Sequence, residues 1–199
     1  MDYPRVTEIL RAYTSYDQVP VDVLQRAAAR GTTVHALCAG IAKGNWIPDG
    51  MIGEELLGYV NSFKQWAQAQ VEKFVIIEKR YVDHDLKYSG QLDFVVEGKD
   101  GKLYLVDLKT SANPQQTYPL QMAAYDSLLK KNGIEIHAAM IVYLNKNGEF
   151  PNIHFIEDLR REFSVFISAI YCWNYFNQRK IDARRDKSEH IPTDIKCDA

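Results

Sequence analysis

The sequence predicts a single α/β domain: a central mixed sheet with helices on both faces. Three observations carry this. Residues 88–110 read YSGQLDFVVEGKDGKLYLVDLKT, two strand-like runs around a Gly-Lys-Asp-Gly turn, which is a β-hairpin signature. The stretch 102–144 then runs strand, helix, strand, the pattern of a crossover between parallel neighbours. Amphipathic helical patterns near 23–43, 53–72 and 159–178 supply the covering layers.

In chain order, Thr7 is expected to cap a short helix to about residue 12, and residues 13–20 form a loop ending at Pro20. Asp22 then caps a helix closed by Gly44, with Leu24, Ala28, Gly31, His35, Cys38 and Ala42 at three–four spacing along its protein-facing stripe. A glycine inside a helix costs about 1 kcal/mol against alanine, so Gly31 suggests close approach of another backbone. The next helix carries Leu56, Tyr59, Val60, Phe63, Trp66 and Ala67 on one side. Phe74, Val75, Ile76, Ile77 and Tyr81 mark a strand over 73–83. Pro119 opens a helix at about 120–131, stopped by Asn132-Gly133. Short strands follow at 138–144 and 153–156. The last helix should pack through Phe163, Phe166, Ile167, Ile170, Trp173 and Tyr175 or Phe176. The tail, 180–199, is polar, and little order is expected there. No repeat or interdomain linker interrupts the 199 residues, so one domain is expected, with its core over about 22–144.

Bulk composition excludes more than it assigns. With 46% apolar and 25% charged residues the chain reads as an ordinary globular protein. Its formal net charge of −2 excludes a generally basic surface, so any nucleic-acid contact needs a local groove or bridging cations. The 3 cysteines, Cys38, Cys172 and Cys197, form no CxxC pair. They read as reduced thiols, two in the core and one in the tail. Without a signal-like or membrane-spanning segment, the expectation is an intracellular, cytoplasmic protein with no membrane partner.

The hairpin also holds the chemistry. With its turn centred near Asp100, Asp93 falls opposite Asp107, and Lys109 follows two residues later on the same face. The surrounding Leu92, Phe94, Val95, Val96, Leu103, Leu105, Val106 and Leu108 are apolar. Carboxylates among buried strands are costly unless paired or bound to a cation. Asp93 and Asp107 are hard oxygen donors suited to Mg²⁺ or Mn²⁺. His35 would be a softer ligand, compatible with Mn²⁺. Each element also has a plainer reading. The acids could salt-bridge Lys109 and Lys102 on a solvated sheet, His35 could be a satisfied core residue, and Gln121 and Tyr125 an ordinary helix face. Glu78 could be an exposed strand glutamate. Arg160-Arg161 and the run 179–187 read as solvated charge, and Trp46 and Trp66 as core residues rather than base-stacking platforms.

In order along the chain, His35, Gly90-x-x-Asp93, Asp107-x-Lys109 and Gln121-x-x-x-Tyr125 resemble the PD-(D/E)xK nuclease superfamily, most closely its RecB-like branch of phage and related exonucleases. The segments Arg5–Leu10 and Arg30–His35 resemble the entry region of phage-encoded members. The resemblance implies a restriction-endonuclease-like core. It also implies a Mg²⁺- or Mn²⁺-dependent deoxyribonuclease, with Asp93, Asp107 and Lys109 as catalytic residues. Asp93, Asp107, His35, Glu78 and the carbonyl of Leu108 would be metal ligands. Gln121 and Tyr125 would position the nucleic-acid backbone or the lysine. The implied substrate is DNA, single-stranded or at duplex ends, in recombination, repair or phage DNA processing. An exonuclease is the leading expectation, with an endonuclease of the same fold or a catalytically silent binding module as alternatives. Leu92 stands where the family name has proline, and Asp107 where many members have glutamate. No Cys quartet is present for a cluster and no helicase is attached, so partner proteins in trans are an open expectation.

Overall fold

A computed structural model describes residues 3–14, 19–111 and 113–188, with side chains to residue 177. Its elements are α1 (Val6–Leu10), α2 (Val21–Ala42), α3 (Glu54–Gln70), β1 (Val71–Asp83), β2 (Tyr88–Gly98), β3 (Leu103–Lys109), α4 (Thr117–Lys131), β4 (Ala138–Tyr143), β5 (Asn152–Phe155) and α5 (Leu159–Ser188). The five strands form one sheet in the order β1-β2-β3-β4-β5. Only β3 and β4 are parallel, joined through α4, and every other neighbouring pair is antiparallel. A two-sided apolar sheet needs two covering layers. One is built from α1, α4 and α5, burying Tyr88, Leu92, Leu105, Leu128 and Phe166. The other is built from α2 and α3, where Phe63, Trp66, Phe94, Val106 and Leu108 are buried. Burying each such side chain contributes about 1.5–3 kcal/mol. The expected mixed sheet with helices on both faces is what the chain forms.

The β2–β3 register follows the turn. Gly101, at φ +75, takes the left-handed position of the loop, and Phe94 pairs with Val106. One step further along the same register, Asp93 meets Asp107.

Several boundaries differ from the sequence reading. The cap of α1 is Arg5, not Thr7: the Glu8 carboxylate accepts the Arg5 N–H at 3.0 Å. Helix α2 begins after Pro20, and Asp22 lies in its first turn, paired with Arg26 at 2.7 Å rather than capping. Helix α4 starts at Thr117, placing Pro119 within its first turn, where a missing N–H costs nothing. Helix α5 continues to Ser188, past the expected end. The expected polar tail, with Cys197 and the 179–187 charge run, lies outside the described side chains. Tyr175 and Phe176 are exposed rather than packed, because Phe166, Ala169 and Ile170 already fill the face toward α4. Cys172 is exposed, while Cys38 is buried as expected. Trp46 is 86% exposed, whereas Trp66 is fully enclosed. No helix among the described residues is long and apolar enough to cross a membrane.

Candidate functional site

Beyond the bulges at the start of β1, strand alternation breaks once more in mid-sheet, and the site is there. Leu92 and Phe94 are two apart yet pack on opposite faces of the sheet. On β1, Ile76 and Tyr81 are five apart yet share a face, and between them Glu78 adopts φ +47. A left-handed backbone at a non-glycine residue costs about 1–2 kcal/mol, and such strain gathers at functional positions. The neighbouring pairs Ile77↔Phe94 and Lys79↔Leu92 put Glu78 level with Asp93. The sheet therefore changes phase across Glu78 and Asp93 together. This frees Asp93 from strict alternation.

The freed carboxylate is fully engaged. Asp93 Oδ2 accepts the Leu108 backbone N–H at 2.8 Å, and Oδ1 lies 3.1 Å from His35 Nδ1. His35 reaches it from α2, on the face opposite α4. Asp107, only 3% exposed, points toward α4. Its Oδ1 accepts from Gln121 Nε2 at 3.2 Å. Its Oδ2 lies 2.7 Å from Lys109 Nζ, an ion-pair contact outside the angles of a directed hydrogen bond. Lys109 Nζ also donates to Gln121 Oε1 at 3.2 Å, and Gln121 Nε2 to the Tyr125 hydroxyl at 3.0 Å. Gln121 thus touches acid, lysine and tyrosine at once.

Electrostatics follow from this crowding. Burial opposes charge on His35, but Asp93 beside it prevails and holds the imidazole pKa above its ordinary value. Burial likewise pushes Asp93 up, yet His35, Lys109 and the Leu108 N–H outweigh it and the carboxyl is lowered. Asp107 is raised, by burial first and with Asp93 adding to it, despite Lys109. Lys109 is raised: burial disfavours its charge, and Asp107 more than compensates. The two carboxylates shift in opposite directions because burial prevails at Asp107, whereas His35, Lys109 and the Leu108 N–H prevail over it at Asp93.

These residues line one open cleft of about 840 Å³. Its floor is Asp93, Asp107, Lys109 and Gln91, with Glu78 alongside. One wall is the middle of α2, where Ala28, Gly31, Thr32, His35 and Ala36 face the cleft. The stripe expected to be core is therefore divided. Val34, Cys38 and Ala39 pack against the sheet, while Ala28, Gly31 and His35 of the expected stripe face the cleft. A Cβ on Gly31 would meet Thr110 Oγ1 at 3.7 Å, an ordinary contact, so the expected close backbone approach is not what the structure has there. The opposite wall comes from α1 and the start of α4, including Arg5, Arg11, Gln115 and Tyr118.

The site residues read from the sequence thus come together, with Glu78 the outermost. It lies 3.8 Å from Lys43 Nζ, at the far end of α2. Leu108 takes part through its backbone N–H. One contact and one residue escaped the sequence reading. A Cβ on Gly90 would come within 2.6 Å of the Tyr125 ring, so the glycine of Gly90-x-x-Asp93 is the seat of the tyrosine of Gln121-x-x-x-Tyr125. Tyr118, three residues before Gln121, was visible only as helical spacing; its ring centroid is 4.4 Å from Lys109 Nζ.

Two carboxylates and an imidazole in one cleft are donors that suit a hard divalent cation, whose charge would favour the ionised form of Asp107 that burial disfavours. Among the described residues no group of three or more His, Cys, Asp or Glu forms a ready-made shell. Lys109 and His35 neutralise the acids instead.

A family model, the PD-(D/E)XK nuclease superfamily, matches residues 9–191. A search of curated proteins finds no match. Among solved structures, SSO0001 is similar at 15% identity and a TM-score of 0.37, over 56% of this chain and about half of its own length, 53%. LHK-Exo in complex with dAMP is similar at 13% identity and a TM-score of 0.40, over 91% of this chain and 94% of that one.

Proposed function

Because the chain belongs to the PD-(D/E)XK nuclease superfamily, matched over residues 9–191, we propose that it is a Mg²⁺- or Mn²⁺-dependent deoxyribonuclease acting on DNA ends. The observation that supports this best is the Asp93–Asp107–Lys109–Gln121 cluster gathered in one cleft. Asp93 and Asp107 would hold the cation, with the Leu108 carbonyl and His35 beside them and Glu78 reaching the rim. The cation, when bound, supplies Lewis-acid polarisation of the phosphodiester and acidifies a water.

The chain's own residues do the rest. Lys109 keeps a positive charge at the cleft floor, where a phosphate's developing negative charge is stabilised at low dielectric. Gln121, anchored on Tyr125, fixes the orientation of both Asp107 and Lys109. His35 and the Leu108 N–H fix the two oxygens of Asp93. The walls of α2 and α1 enclose the strand laterally, and Arg5 and Arg11 offer charge to its backbone. The pathway we assign is DNA recombination, repair or phage DNA processing, alone or with partner proteins in trans.

Incubation with end-labelled linear DNA, single- and double-stranded, and with covalently closed circles tests the end-directed reading. Nucleotides should be released from linear DNA in Mg²⁺ or Mn²⁺ and circles spared. Circles cut as readily as linear DNA would instead assign an endonuclease.

A further inference from the structure

Besides Thr117 at its start, α4 lines the cleft with three side chains at successive turns, and the Gln121-x-x-x-Tyr125 motif accounts for two. The third is Tyr118. Its ring faces Lys109 Nζ at 4.4 Å. Behind it stands Tyr143, tilted at 6.5 Å, on the β4 position that pairs with Lys109. The lysine ammonium therefore has three partners in three directions: Asp107 Oδ2 at 2.7 Å, Gln121 Oε1 at 3.2 Å and the ring face.

These partners differ in one respect. Asp107 is also the acid that a cation would take, and a cation there competes with Lys109 for the same oxygen. A lysine with only 17% of its side chain exposed is costly to leave without a counter-group. An aromatic face attracts an ammonium electrostatically, more strongly where water is excluded, and it does not bind a hard divalent cation as a carboxylate does. The backbone that carries the ring is also anchored. Tyr118 donates its N–H to Gln115 O at 3.1 Å, and Pro119 fixes the first turn of α4 immediately after it.

We propose that Tyr118 is a positioning residue for Lys109, its ring holding the ammonium at the cleft floor while Asp107 turns to the cation. The inference rests on the nuclease reading above. No bond is made or broken by Tyr118; it acts through Lys109.

Two measurements test it. In protein carrying isotope-labelled lysine, with the Lys109 signal assigned through Lys109→Arg, the ε-methylene protons should lie upfield, from the ring current, of the lysines other than Lys79, which lies over the Tyr81 ring. Tyr118→Phe should keep that shift and Tyr118→Leu lose it. The rate is then measured with mono-, di- and trifluorinated phenylalanine at position 118, which drain the ring's electron density at nearly constant size. With KM unchanged, kcat should fall stepwise, by about tenfold from phenylalanine to the trifluorinated ring, as a cation–π contact requires. Tyr118→Leu should fall at least as far, and Tyr118→Phe should rescue it. An active wild type with a flat fluorination series, or a Lys109 signal without the shift, overturns this inference alone. A wild type that cleaves no DNA with either cation overturns the nuclease reading, and the spectrum still decides whether the ring holds the ammonium.

Discussion

Glu78 and Asp93 show how much of this site is decided by single backbone positions. Glu78 sits at φ +47 within a strand, a conformation glycine adopts without penalty. Glu78→Gly should therefore raise stability by about 1 kcal/mol, read from urea unfolding, while lowering cleavage if the side chain serves the cation. Equal or lower stability would show that the backbone is not strained. The His35–Asp93 pair sets a pH dependence in metal-free protein. His35 is raised above its ordinary value of 6.5, so its contribution is full below that pH and disappears as pH rises through the raised value. Asp93 is lowered from 3.8, so its contribution is present above 3.8 and disappears as pH falls through the lowered value. Asp107, raised from 3.8, adds a cost as pH climbs past that value. The melting temperature should thus decline from pH 6 to more alkaline solution, and His35→Asn should flatten that decline. A melting temperature rising over this range would contradict the pairing.

At the scale of elements, two glycines hold pieces of the fold together. A Cβ on Gly58 of α3 would lie 1.7 Å from the Lys146 carbonyl oxygen in the β4–β5 loop. Gly58→Ala should cost about 1–3 kcal/mol or more, since the obstacle is backbone. Gly90→Ala meets a side chain instead, the Tyr125 ring. It should cost about 1–3 kcal/mol and also lower cleavage by disturbing Gln121; a variant of wild-type stability and rate would exclude that link. Much of this level was legible in the sequence. The Gly-Lys-Asp-Gly turn fixes the β2–β3 register, hence the facing of Asp93 and Asp107, because turn geometry is local. The crossover 102–144 gave the parallel pair for the same reason. What stayed hidden depends on tertiary packing. Periodicity marks one face of α2 as apolar, but not that its middle turns would meet a cleft in place of a core. The paired phase change at Glu78 and Asp93 has no signature in either strand alone. Tyr118 looked like any first-turn residue, since what distinguishes it is a lysine two elements away.

At the scale of the whole molecule, the two apolar layers on either side of one sheet serve a single purpose. Helix α2 brings His35 to one side of Asp93, and α4 brings Gln121 and Tyr125 to Asp107, so the cleft opens where the two layers meet at the sheet. Buried Asp107 is paired with Lys109 and partly buried Asp93 with His35, so a cation taking these acids would exchange with those partners. The central claim is that this cleft is a divalent-metal-dependent nuclease site. It is tested most directly by release of nucleotides from end-labelled linear DNA in Mg²⁺ or Mn²⁺, comparing wild type with Asp107→Ala and Lys109→Ala. The expected result is metal-dependent cleavage by wild type, abolished by chelation and reduced at least about 100–1,000-fold in each variant. Cleavage at wild-type rates by either variant would contradict it.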